Sequence, residues 1–145
     1  DVTVFFDYLN ERTGTYVLCF DIVGLMRIND DISREAGDKV ILESLKRINA
    51  AAGKDMPVLR IGGDEFVMVT GLDDVEKVTK IAKAVMEKNG VQTAYKGGTV
   101  PVSIRSGAVM IRKPLKYSML CHDFDEVISF ARNDGEVHFA KAEQK

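Results

Sequence analysis

At 145 residues, 46% of them hydrophobic and with a formal net charge of −2, the chain has enough material for one compact domain with a core. Its charge balance leaves no basic footprint for a nucleic-acid backbone, and no apolar run approaches the length that spans a bilayer. Cys19 and Cys121 are too few for a disulfide framework and fit a reducing, cytoplasmic setting, while His122 and His138 show no metal-ligand spacing.

In chain order, Val2, Phe5, Phe6 and Leu9 recur at helical spacing until Thr13-Gly14 breaks the pattern, which predicts a short first helix. Tyr16 to Phe20 is a continuous apolar run of β-formers ending in Asp21, the pattern of a buried central strand with a carboxylate at its tip. A polar loop is expected from Asn29 to Glu35. Val40, Ile41, Leu45 and Ile48 then mark one face of a helix over roughly 36–52, stopped by Gly53.

Val58 to Ile61 and Phe66 to Thr70 read as strands joined by the four-residue loop Gly62-Gly63-Asp64-Glu65, a β-hairpin. The glycines are expected to supply positive φ and close approach of a ligand or another backbone. Asp73 with Glu76 has the capping-box pattern, and Val75, Val78, Ile81, Ala82, Val85 and Met86 form the apolar face of a helix closed by Gly90. The run from Val100 to Ile111 is mostly β-like. Asp123 with Glu126 is read as the cap of a helix carrying Phe124, Val127, Ile128 and Ala131. Asn133-Asp134-Gly135 interrupts it before a last helical turn around Ala140-Lys141.

The order is α-β-α-β-β-α-β-α, and its inner βαββαβ is the split βαβ arrangement. The expected fold is α+β, ferredoxin-like and nucleotidyl-cyclase-like. Its central sheet is antiparallel, with the helices of the inner unit on one face and helices packed around the whole. One domain is expected over 1–145; the chain opens at Asp1 without methionine or leader, as a piece cut from a longer protein would. In such a sheet the end of the first strand lies beside the tip of the central hairpin, so Asp21 and Asp64 converge. Two such carboxylates suit a Mg²⁺ ion that completes its octahedron with water and substrate phosphates, the chemistry of phosphoryl or nucleotidyl transfer. An ordinary hairpin turn uses the same residues freely and stays equally open at this stage.

RIGGDEF, Arg60 to Phe66, resembles the signature of the GGDEF domain family, the diguanylate cyclases of bacterial signal transduction. FDIVGLMRINDDISREAGD, Phe20 to Asp38, is similar to the family's succession of a metal aspartate, an Asn-Asp pair and Gly-Asp. Weaker similarity runs through Val102 to Ala108 and into Phe139-Ala140-Lys141. The family's leading DxLTGLxNR-like segment is missing.

The resemblance implies condensation of two GTP into cyclic di-GMP with release of two pyrophosphates, dependent on Mg²⁺ or Mn²⁺, at a homodimer interface. It implies that Asp21 and Asp64 hold the metal with the backbone carbonyl of Ile22. Asp64 would assist deprotonation of the attacking hydroxyl, and Glu65 would support a second metal position. Asn29 and Asp38 would read guanine, Gly62 and Gly63 would lie against ribose and phosphate, and Lys141 would reach a phosphate. The parent protein is expected to carry an N-terminal sensory or dimerising region and is free to be membrane-anchored; this domain itself contacts neither membrane nor nucleic acid.

Several positions depart from the pattern. Met26 stands where the family usually has lysine, with Arg27 beside it, and Ser33-Arg34 replaces Gly-His. The C-terminal motif is altered, with His138 in a customary Tyr position and Lys145 where arginine is usual. Gly53 and Met56 replace the Arg and Asp of the family's inhibitory product site. These departures define the alternative, a degenerate GGDEF module that binds GTP and transmits a signal with little or no turnover.

Overall fold

The structure, a computed structural model, describes residues 1–140. Its helices are α1 (Val2–Asn10), α2 (Leu25–Asp31), α3 (Arg34–Ala51), α4 (Val75–Met86) and α5 (Tyr117–Phe130). Its strands are β1 (Thr15–Ile22), β2 (Val58–Gly62), β3 (Glu65–Val69), β4 (Gln92–Tyr95), β5 (Gly98–Pro101), β6 (Ile104–Ile111) and β7 (Val137–Phe139). Five strands form one sheet in the order β2-β3-β1-β6-β7. Every pair in it is antiparallel except β6 with β7, which is parallel. The α+β, ferredoxin-like core is therefore as expected, but the sheet is mixed. The chain leaves β6, crosses through α5, turns at Gly135 with φ of 74° and returns in the same direction, as a helical crossover permits.

Alternation along β1 assigns its side chains to two cores. Leu18, Phe20 and Ile22 face one, shared with Val40 and Ile48 of α3 and Val78, Ala82 and Val85 of α4. Val17 and Cys19 face the other, shared with Phe5 and Leu9 of α1 and Leu120, Phe124 and Val127 of α5. Because helices cover both faces, β1 reads as an unbroken apolar run rather than an alternating one. It is the middle strand, so its last residues lie between the hairpin on one side and the start of β6 on the other.

Five local expectations are corrected. Asn29 lies on a helix, α2, not in a loop: Leu25 is buried and Ile28, one turn on, packs against the same core. The capping side chain of α4 is Asp74, which accepts from the N–H groups of Glu76 and Lys77; Asp73 precedes it. Helix α5 starts at Tyr117, so Asp123 and Glu126 are interior, because buried Leu120 extends the stripe of Phe124, Val127 and Ile128 by a turn. The run from Val100 to Ile111 is split. Gly98–Pro101 folds back on Gln92–Tyr95 as a separate two-stranded sheet, with Gly98 at φ of 148° in the connection. Finally, Val137–Phe139 is a strand, and the N–H of Ala140 donates to Ala108 O at 2.8 Å, continuing the ladder where a helical turn was expected. Lys141 and Lys145 lie outside the described residues.

Candidate metal and nucleotide site

Strand register builds the acidic cluster. Asp21 on β1 is paired with Glu65 on β3 and with Arg105 on β6, so these three residues form one lateral row across the sheet, on the face toward α1 and α5. The N–H of Ile22 donates to Asp64 O at 2.9 Å, and the N–H of Val23 donates to Ser103 O at 2.9 Å. The end of β1 is thus stitched to the hairpin turn and to the entry of β6. As a result Asp21, Asp64 and Glu65 each offer a carboxylate oxygen, all lying within 4.8 Å of one another. Three hard anionic oxygens at that spacing fit a divalent ion of the Mg²⁺ or Mn²⁺ class.

The turn is tighter than a four-residue loop. Gly62 closes β2 and Glu65 opens β3, leaving Gly63 and Asp64 between, after a register shift at Ile61. Arg60 holds this turn: its Nε donates to Gly62 O at 3.0 Å and its Nη2 to Gly63 O at 2.6 Å. From the other side, the Tyr117 hydroxyl donates to Ile61 O at 3.0 Å. Neither Gly62 nor Gly63 has positive φ, contrary to expectation. At Gly62 a Cβ would instead overlap Glu65 Oε1 and displace that carboxylate, whereas at Gly63 a Cβ would meet open space.

Electrostatically the row is strained. Asp21 is 7% exposed, and burial pushes its carboxyl above the ordinary range despite the opposing pull of Arg105. Burial likewise raises Glu65, helped by the charges of Asp64, Asp125 and Asp21. Arg105 is the residue that motif reasoning missed. Its Nε donates to Asp21 Oδ2 at 3.1 Å, its Nη2 binds the same oxygen, and its Nη1 lies 3.4 Å from Ala131 O at the end of α5. A lone cation in an otherwise apolar β run was the available signal.

Beside the turn, a cavity of about 460 Å³ is lined by Asn29, Arg34, Asp38, Arg60 and Gly63 together with the apolar Leu25, Ile41 and Leu42. The structure therefore brings Asn29 on α2 and Asp38 on α3 to one cavity that also reaches Gly63 of the hairpin turn. Gly37 permits this: its Cα lies against the Asn29 amide, whose Oδ1 is buried without a hydrogen-bond partner among the described residues. Ser33, in place of the family glycine, caps α3 by accepting from the Ala36 N–H at 3.0 Å. Met26, on the first turn of α2, is 78% exposed.

The family profile described as "Diguanylate cyclase, GGDEF domain" matches residues 7–138. This chain belongs to the GGDEF domain family. Diguanylate cyclase DosC of Escherichia coli is 27% identical to it over 129 residues, 86% of this chain and 28% of DosC. The cyclic di-GMP phosphodiesterase NbdA of Pseudomonas aeruginosa is 24% identical over 89% of this chain and 16% of that protein. The chain spans about a quarter of the curated cyclase it matches. Among solved structures, the GGDEF domain of YfiN (TpbB) from Pseudomonas aeruginosa superposes with a TM-score of 0.82 at 23% identity, covering 99% of this chain and 94% of that one. The GGDEF domain of DgcB from Caulobacter crescentus, solved with c-di-GMP, gives 0.76 at 19% identity, covering 94% and 88%. This GGDEF domain has no helix, among the described residues, long and apolar enough to cross a membrane.

Proposed function

We propose that this chain is the catalytic domain of a diguanylate cyclase. One observation carries the reading: the three carboxylates of Asp21, Asp64 and Glu65 meet at the hairpin whose Gly63, next to Asp64, lines the cavity that holds Asn29 and Asp38. Asp21 and Asp64, with the Ile22 carbonyl as a further ligand and Glu65 at a second position, would hold a divalent ion, which would supply a lowered pKa for the attacking hydroxyl and neutralisation of charge on the phosphates. Asp38 accepts from guanine N1–H and N2–H₂, donors that adenine does not present in this pattern, while the Asn29 amide donates to a guanine acceptor. Gly62 and Gly63 let ribose and phosphate lie against the hairpin. Asp64 takes the proton as the 3′-oxygen of one GTP bonds to the α-phosphate of the other and pyrophosphate leaves; the second half-reaction closes the ring. One site holds one GTP, so two copies must face each other, held by an N-terminal region of a longer protein acting in the cytoplasm. Lys141 is assigned to a phosphate.

A second reading is a GTP-binding module with little turnover. The exposed Met26 in the usual lysine position and the guanidinium seated on Asp21 favour it. The deciding experiment is Mg²⁺-dependent formation of cyclic di-GMP from GTP by this chain fused to a dimeric partner, measured beside Asp64→Asn. Product from the unmodified protein and none from the variant supports the enzyme. GTP binding without product supports the module, and absence of GTP binding removes both.

A further inference from the structure

Arg105 is a cation already seated where the proposed reaction brings one from solution. Its two donors converge on a single oxygen, Oδ2 of Asp21, leaving Oδ1 to an incoming ion. The arginine is held in place from behind, because its Nη1 faces Ala131 O at the C-terminal end of α5, where unpaired carbonyls favour positive charge. Register adds a constraint, since Arg105 stands directly across from Asp21 on the neighbouring strand and both side chains leave the same face of the sheet. The guanidinium therefore belongs to the built arrangement of the cluster.

We infer that Arg105 is a resident counter-ion of the metal site: it competes with a divalent ion for Asp21 and so weakens the protein's affinity for free metal. With Arg105 in place, the three carboxylates present two net negative charges to an ion instead of three. A divalent ion at Asp21 is repelled by the guanidinium next to it, and one of the two oxygens is already engaged. An arginine that merely oriented the carboxylate would act in the opposite direction, strengthening metal binding as outer partners of metal ligands do. The two roles thus differ in sign. Repulsion dominates here because the cation touches the same carboxylate that would take the ion, and Asp21 is buried, where Coulomb forces are less screened. Triphosphate reverses the balance: it adds negative charge at the cluster and offers the arginine fork an alternative anionic partner. Metal then enters chiefly with the nucleotide.

The inference rests on the metal reading above, and titration of Mn²⁺ into the full 145-residue chain, with free Mn²⁺ followed by electron paramagnetic resonance, tests it. Glutamine retains an N–H donor for Asp21 but removes the charge. Arg105→Gln is expected to bind Mn²⁺ about tenfold or more tightly than the unmodified chain, given the size of charge effects near a surface. Arg105→Lys should stay near the unmodified value. Adding Asp21→Asn to Arg105→Gln should cancel the gain. Lys83→Gln, which removes one positive charge on α4, controls for net charge and should change nothing. Unchanged or weaker Mn²⁺ binding by Arg105→Gln overturns the inference and makes Arg105 an orienting partner instead. Circular dichroism checks folding, and Arg105→Ser provides a second neutral variant. Micromolar binding of Mn²⁺ by the unmodified chain alone would overturn the inference without any variant. Failure of every protein to capture Mn²⁺, even with GTP present, would remove the metal site together with this inference. Capture without a gain in Arg105→Gln overturns only the role of Arg105.

Discussion

Gly37 of α3 lies directly beneath the amide of Asn29 on α2, so closely that a Cβ at position 37 would overlap Asn29 Oδ1. The glycine is helical with ordinary φ, and alanine there would gain up to about 1 kcal/mol in helix propensity. Gly37→Ala should therefore remain folded while displacing Asn29 from the cavity. GTP affinity measured by calorimetry should fall about tenfold, the value of one hydrogen bond. An unchanged affinity would take Asn29 out of the base pocket.

The same logic separates the two hairpin glycines. Gly62→Ala would drive a methyl group into Glu65 Oε1 and turn that carboxylate away from Asp21 and Asp64, whereas Gly63→Ala meets no atom within 4 Å. Turnover and Mn²⁺ affinity should drop in the first variant. The second should lose only whatever the substrate backbone requires of that space. Equal Mn²⁺ affinities for the two variants would dissociate Glu65 from the metal.

Base selectivity tests Asp38. GTP should bind in preference to ATP, and Asp38→Ala should erode that preference by about 1–3 kcal/mol, the cost of leaving paired donors unmet. Competition of each nucleotide against a fluorescent GTP analogue measures this. Equal GTP and ATP affinity in the unmodified chain would remove the guanine-reading role of the pair.

Burial and mutual repulsion raise Asp21 and Glu65 above ordinary carboxylate values, which fixes the sign of a pH effect. Between the ordinary and the raised pKa the folded state holds more protons than the unfolded state, so these groups make stability fall as pH rises through that window. Asp134 works the other way, since the N–H of Glu136 and the His138 ring hold its carboxyl low. Comparison with Asp21→Asn isolates the strained row. The variant's advantage in Tm should be largest at neutral pH and shrink as pH falls. A Tm difference independent of pH would show that Asp21 carries no such penalty.

Met26 is a candidate defect that the fold can accept repairing, because its side chain is 78% exposed on α2 and supports no core. In a dimerised form of the chain, Met26→Lys should raise the rate at saturating GTP more than it changes GTP binding, since a cation there would stabilise charge developing on departing pyrophosphate. Pyrophosphate release at equal dimer occupancy decides it. An unchanged rate would locate the limitation elsewhere, with the Arg105–Asp21 pair next to be examined.

Local patterns were enough for much of the scaffold. The apolar run Tyr16 to Phe20 reads as a buried strand because both faces of β1 are covered, and α4 is legible from its stripe and closing glycine. The hairpin is legible because Gly-Gly-Asp-Glu interrupts two β runs, and the surrounding family signature, rather than the turn residues alone, marks it as more than a turn. Motif spacing alone singles out Asn29 and Asp38.

Short elements were not legible. Seven-residue α2 and the four-residue strands β4 and β5 hold too few periodic residues to stand out, and Leu25 and Ile28 define a helix only once a core exists to bury them. The parallel edge β7 depends on a partner some thirty residues away along the chain. By itself the amino-acid order determined the family signature, the carboxylates and the periodic elements, because each is written in neighbouring residues. Only the tertiary structure decided that Arg105 faces Asp21 and that Gly37 makes room for Asn29. Those pairs arise from strand register and from the closeness of two helices, and each joins residues whose own neighbours in sequence carry no trace of the contact.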